Sequence, residues 1–283
     1  MPIELKTELL LEGLAFPESP RWHGDRLWFS DMYACQVMSV GSDGTARIEF
    51  GVEHQPSGLG WLPDGGMLVV SMHDRRLLRH DAGGLSVVAE LGDMADYHCN
   101  DMVVDRHGRA YIGNFGFDFL RTAAPKPTVL ILVTPDGEKR VVAEDMLFPN
   151  GSVITPDGKT LIVAESFGRR LTAFSIAADG SLSGRRIWAQ LEGASADGIC
   201  LDAEGAVWAA SPVSAEILRV LEGGAITHRI AVATQGIACM LGGPDRRTLF
   251  VVSAPLVGPE AALAQKLGRI ETVRVDVPGA GLP

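Results

Sequence analysis

A hairpin pattern returns six times along the chain, and a sequence built this way folds only as an array of like sheets. Its clearest copy, Asn150-Gly151-Ser152-Val153-Ile154-Thr155-Pro156-Asp157-Gly158-Lys159-Thr160-Leu161-Ile162-Val163, reads as a short strand, an Asp-Gly turn and a second short strand. Echoes start at Ser57, Asn100, Asp197 and Ala238, and a copy two residues shorter starts at Glu18. The starts are 39, 43, 50, 47 and 41 residues apart, a mean of 44. Between them lie further turn signals, such as Ser42-Asp43-Gly44, Pro135-Asp136-Gly137 and Ala178-Asp179-Gly180, flanked by apolar runs. Each repeat therefore holds about four strands.

Four short antiparallel strands per unit predict an all-β fold, a six-bladed β-propeller, because closing the blades into a ring hides edges that a lone sheet leaves open. Six repeats of 44 occupy 264 of the 283 residues, so residues 1–283 are expected to form one propeller domain. The remainder fits the two ends, and Ile3 to Leu11 is expected to pair with sheet around Thr272 to Val277 to close the ring. No ordinary helix is required. A two-domain β-sandwich is the competing architecture, and six equally spaced hairpins argue against it.

Composition narrows the partners. Thirty-five acidic against 25 basic residues give a net charge of −10, which repels phosphate backbones and anionic membranes. No apolar run approaches the length of a membrane span, and the start Met1-Pro2-Ile3-Glu4 lacks a basic stretch followed by an apolar one, so a cytoplasmic location is expected. Cys35, Cys99, Cys200 and Cys239 are far apart and form no C-x-x-C pair, as expected of reduced, mostly buried thiols.

In a ring of similar blades, equivalent positions sit at similar height around the axis, so Glu18, Ser57, Asn100, Asn150, Asp197 and Ala238 should converge. Four of them carry carboxylate or carboxamide oxygens. Asn and Asp also favour strand entries for local hydrogen bonds, which suffices for any one of them. Buried together, they would be costly without a partner, and a divalent cation satisfies several oxygens at once. An oxygen-rich site suits Ca, Mg or Mn and admits Zn. No G-x-S-x-G, H-E-x-x-H or phosphate-loop motif occurs, and the seven histidines show no paired ligand spacing.

Phe16-Pro17-Glu18-Ser19-Pro20-Arg21-Trp22, Asn100-Asp101 with Asp105-Arg106-His107-Gly108-Arg109, Phe148-Pro149-Asn150-Gly151, Ala196-Asp197-Gly198, and Gly242-Gly243-Pro244-Asp245 with Thr248 to Ser253 stand in order at blade spacing. In this the chain resembles the senescence marker protein, gluconolactonase and luciferin-regenerating enzyme family over nearly its whole length. The resemblance implies a propeller with one divalent metal in the tunnel mouth and lactone hydrolysis. It implies Glu18, Asn150 and Asp197 as metal ligands, Asp197 also as acid/base, and Asn100 in the substrate site. Several sugar-lactone members have an Arg where this chain has His98, and Asp118 is the nearest match to an acidic residue of the same blade. His98, Asp118 and Phe115 are accordingly expected on the substrate side, with His54 and His73 as weaker candidates. Phe115-Gly116-Phe117-Asp118-Phe119, Phe16, Phe148 and Phe167 lie near the other site positions. Each could simply pack between blades, whereas several facing the mouth would favour a more apolar ring than an aldonolactone.

The expected activity is metal-assisted opening of a small-molecule lactone by a monomer or weak homodimer. The alternatives are a non-catalytic propeller that binds a ligand or protein around a structural metal, or a related propeller enzyme acting as an esterase, a phosphotriesterase or a condensing enzyme.

Overall fold

The computed structural model describes residues 2–118, 121 and 124–283. It is an all-β six-bladed propeller built of four-stranded antiparallel blades, one of which gains a short fifth strand. Blade 1 is β3 (Pro17–His23), β4 (Arg26–Asp31), β5 (Gln36–Val40) and β6 (Ala46–Gly51). Blade 2 is β7 (Pro56–Trp61) to β10 (Gly84–Glu90), blade 3 is β11 (Cys99–Val104) to β14 (Lys139–Met146), and blade 4 is β15 (Pro149–Ile154) to β18 (Leu182–Gln190). Blade 5 runs from β19 (Ile199–Leu201) to β22 (Ile226–Ala231), and blade 6 holds β23 (Gln235–Gly242), β24 (Thr248–Ala254) and β25 (Gly268–Arg274). The inner strands β3, β7, β11, β15, β19 and β23 touch in that cyclic order and surround the axis.

Turn chemistry sets the hairpins. Asp64, Asp105, Asp157, Asp202 and Asp245 each accept the backbone N–H two residues on, at 2.8 to 3.1 Å. The Gly that follows in four of these turns, Gly65, Gly108, Gly158 and Gly205, has φ between 71° and 87°, which a side chain rarely tolerates.

The fourth strand of blade 6 comes from the other end of the chain. β2 (Glu8–Leu14) pairs antiparallel with β25, matching Glu8 to Thr272 and Leu11 to Ile270. This corrects the expected closure at both ends. Ile3 and Glu4, as β1, lie parallel to β22 and make blade 5 five-stranded, while β25 stops at Arg274. Leu14 is buried and Leu10 and Leu11 pack on the core, so apolar burial on the inner side of β2 fixes its register. A helix is also present: α1 (Pro259–Gln265), with proline at its start and Glu260 in its first turn. It fills the connection from β24 to β25.

The chain's last residues cross the far end of the tunnel. Gly279 N–H donates to Arg246, Ala280 N–H to Leu201, and Leu282 N–H to Ile154, spanning blades 6, 5 and 4. The candidate site residues lie at the tunnel end where the inner strands begin. The four cysteines are free thiols; Cys99, Cys200 and Cys239 are buried and Cys35 is partly exposed.

Candidate active site

Four of the inner strands carry the candidate residue as their second residue: Glu18 in β3, Ser57 in β7, Asn100 in β11 and Asn150 in β15. Asp197 lies two residues before β19, and Ala238 is the fourth residue of β23. The register slips beside this point in five blades, between Glu18 and Arg21, Pro56 and Leu59, Cys99 and Met102, Pro149 and Ser152, and Gly236 and Ala238. Such bulges re-aim side chains that a regular pleat would turn into the blade. Close approach of the inner strands adds a second constraint. A Cβ on Gly151 would lie 2.6 Å from the Asp197 carbonyl oxygen, and one on Gly198 would lie 2.3 Å from the Ala238 Cβ. The glycine after each of these two site residues lets the next blade come in, and Gly151 N–H donates to the Asp197 carbonyl at 3.2 Å.

Glu18, Asn100 and Asn150 are buried, while Asp197 keeps part of its surface open. Burial pushes both carboxyls up: Glu18 well above the usual range, with the charges of Asp197 and Asp101 adding to the rise, and Asp197 to about 8, with Asp101 adding and a hydrogen bond from Asn150 opposing. The Gly151 to Asp197 backbone bond and the hydrogen bonds of Ser166 to Asn150 and to the Ala196 carbonyl set Asn150 beside Asp197, and Glu18 is near enough to feel the Asp197 charge. Asn100 joins them from blade 3, its Nδ2 donating to the Pro149 carbonyl at 3.3 Å.

Two oxygens here have no partner. Asn150 Oδ1 and Asp197 Oδ1 are both buried and accept no hydrogen bond. Orphaned acceptors next to a buried carboxyl are what a hard cation satisfies, so the donor set of two carboxylates and a carboxamide fits one. Among the described residues, no group of three or more His, Cys, Asp or Glu side chains could hold a metal. The fit therefore depends on the Asn150 carboxamide.

The loops before these residues are held by polar side chains that end the second strands. Asp31 accepts the N–H groups of Ala15 and Phe16 at 3.1 and 2.7 Å, ahead of Glu18. Glu165 Oε2 accepts Leu147 N–H at 2.7 Å, ahead of Asn150, and Ser211 Oγ accepts Ser195 N–H at 3.1 Å, ahead of Asp197. Sequence reading missed these three, and it missed Ser166, whose Oγ accepts from Asn150 Nδ2 at 3.2 Å and donates to the Ala196 carbonyl at 2.7 Å. It also missed the ion pair deeper in the tunnel. Arg21 of blade 1 reaches Asp101 of blade 3 at 2.6 Å and donates to the Leu59 and Met102 carbonyls. Asp101 directly after Asn100 and Arg21 three residues after Glu18 were the available signal.

The remaining candidates sit further out on blades 2 to 4. The His98 ring stacks on His73 and on Tyr97, each 4.1 Å between centroids, and burial pushes its pKa down to about 4. Phe115 donates its N–H to the His98 carbonyl and stacks on Phe148 at 4.4 Å. Asp118 pairs with Arg121 at 3.5 Å, and it adds to the rise that burial gives the Tyr97 phenol by accepting its hydrogen bond. Phe16 packs on Tyr33 at the blade 1 side. Burial lowers the His73 ring, and the nearby His54 adds to the fall. Phe119 lies outside the described residues.

Known structures share this architecture. Regucalcin from Agrobacterium tumefaciens, a calcium-binding protein, is 22% identical with a TM-score of 0.84, covering 100% of this chain and 99% of that one. A luciferin-regenerating enzyme is 19% identical with a TM-score of 0.84 and 98% of each chain covered. A gluconolactonase from Xanthomonas campestris is 23% identical with a TM-score of 0.75, covering 97% and 89%. At these identities the likeness speaks for the fold. The family model described as the SMP-30/gluconolactonase/LRE-like region matches residues 16–255, from Phe16 ahead of the Glu18 strand to Pro255 after β24, so the chain belongs to that family.

Proposed function

We propose that this protein is a divalent-cation-dependent hydrolase that opens lactones at the tunnel mouth. Family membership supports lactone hydrolysis in general. The observation that carries the specific reading is the pair of orphaned buried oxygens, Asn150 Oδ1 and Asp197 Oδ1, beside the raised carboxyl of Glu18.

Glu18, Asn150 and Asp197 would hold the cation. Bound there, a divalent cation would polarise a lactone carbonyl or a water and favour the ionised carboxylates. Asp197 acts as the proton carrier: its carboxylate takes a proton from the water that adds to the carbonyl carbon. As the ring C–O bond breaks, it returns that proton to the departing ring oxygen, and the product is the hydroxy acid. Asp197 is the less buried of the two carboxyl residues. Asn100, tethered to Pro149, orients the ring from blade 3, and Ser166 fixes the Asn150 carboxamide.

The test is proton release from a lactone panel by the wild type and by Asp197→Asn, with circular dichroism and ion binding recorded for both. Loss of about 10²- to 10⁴-fold in kcat from a folded variant is expected of a missing acid/base. Unchanged kcat in Asp197→Asn would sink the assignment.

A further inference from the structure

Blades 3 and 4 build one side of the tunnel mouth from aromatic rings. Phe115, Phe117 and Phe148 are buried and form its backing. Phe167, 44% exposed, lies 5.1 Å from both Phe117 and Phe148 and brings the cluster to the surface. Next to it, partly exposed His98 and Tyr97 and exposed His73 continue the surface as a stack of three rings.

The wall is bonded directly to the candidate site. Phe148 is two residues before Asn150, and its carbonyl accepts Ser166 N–H at 3.1 Å; Ser166 in turn holds the Asn150 side chain and precedes Phe167. His98 is two residues before Asn100, and its carbonyl accepts Phe115 N–H at 2.9 Å. A lactone held at Asp197 would therefore have these side chains beside it on the blade 3 and blade 4 side.

Resting on the lactonase reading, we propose that this wall selects lactones whose non-reacting part is apolar or aromatic over polyhydroxylated sugar lactones. A phenyl face neither donates nor accepts a conventional hydrogen bond, so each sugar hydroxyl laid on it loses water without replacement, a penalty of about tenfold or more in binding. An apolar substituent gains on the same surface by leaving water, and an aromatic one also by stacking. His98 stays neutral near pH 7, since burial holds its pKa at about 4, and so offers a flat ring with one donor and one acceptor. Asp118, the acidic group on this side, is engaged by Arg121 and Tyr97.

Two arms test selectivity separately from catalysis. In the first, kcat/KM is compared for a phenyl-substituted δ-lactone and glucono-1,5-lactone with the wild type, Phe167→Ser and Phe167→Leu. The phenyl lactone is expected to lead by about tenfold or more, with the lead shrinking about tenfold in Phe167→Ser and mostly recovering in Phe167→Leu. In the second, calorimetry measures binding of two unreactive cyclic ethers, 2-phenyltetrahydropyran and 1,5-anhydroglucitol, to the same proteins. The phenyl ether is expected to bind about tenfold or more tightly, with the same dependence on Phe167. That result supports the selectivity even if no lactone turns over, the outcome that would fail the catalytic reading alone. Equal or tighter binding of the anhydro sugar, or a phenyl preference untouched by Phe167→Ser, overturns the proposal.

Discussion

At the scale of single residues, the site is a concentration of carboxyl groups held against their preference to ionise. Burial raises Glu18 and Asp197, the latter to about 8 from an ordinary 3.8. The folded protein therefore binds these protons more tightly than the unfolded chain. The stability they contribute is complete below about pH 4 and is lost as pH rises toward 8. In protein freed of divalent ions, the melting temperature of Asp197→Asn should gain on that of the wild type as pH rises from 4 to 8. A difference that stays flat across that window would contradict the buried-carboxyl account. The comparison cancels the histidines, His98 among them, whose lowered pKa values act in the opposite direction. Arg21 and Asp101 pose a different problem, because both are buried and each depends on the other. Asp101→Ala strands a buried guanidinium and should cost about 3–5 kcal/mol in denaturant unfolding. A loss below about 1 kcal/mol would mean that the backbone carbonyls of Leu59 and Met102 suffice for Arg21.

At the scale of elements, the inner strand carries the site residue and the second strand supports it. Asp31 accepts two N–H groups from the loop ahead of Glu18, so Asp31→Ala leaves two buried donors unpaired. It should cost about 2 kcal/mol or more and weaken divalent-ion affinity about 10- to 100-fold by loosening that loop. Unchanged ion affinity in a folded variant would remove the positioning role. The inner strands were legible because their site residues share a place before a conserved rhythm of strand, Asp-Gly turn and strand within this one chain. The supports were not, since Asp31, Glu165 and Ser211 end their strands with different letters and only the folded backbone brings them to the loops they hold. The bulges were equally silent, being register slips rather than residue types. Helix α1 did have signals in Pro259 and Glu260, but the hairpin repeat required no helix.

At the scale of the whole molecule, the ring is closed by its own N-terminal strand. β2 supplies the outer strand of blade 6 and seats Leu14 in the core, so removing residues 1–14 should expose the edge of β25 and lower the melting temperature sharply, with aggregation on heating. Melting equal to the full chain's would show that the closure is dispensable. Blade number and blade content could be read from the spacing of hairpins, and so could the approximate partner of the N-terminal strand. The parallel placement of Ile3 and Glu4 on blade 5 could not, because two residues carry no alternation to set a register. The proposed reaction requires the ring to bring Glu18, Asn150 and Asp197 around one cation. The most direct measurement is proton release from lactones by chelator-stripped protein, with Ca, Mn, Mg or Zn restored singly and the ion stoichiometry measured alongside. The account predicts turnover that vanishes on stripping, returns with one bound ion per chain, and is not restored in Asn150→Ala. Full turnover in stripped protein, or restoration by an ion that Asn150→Ala binds as well as the wild type does, would contradict it.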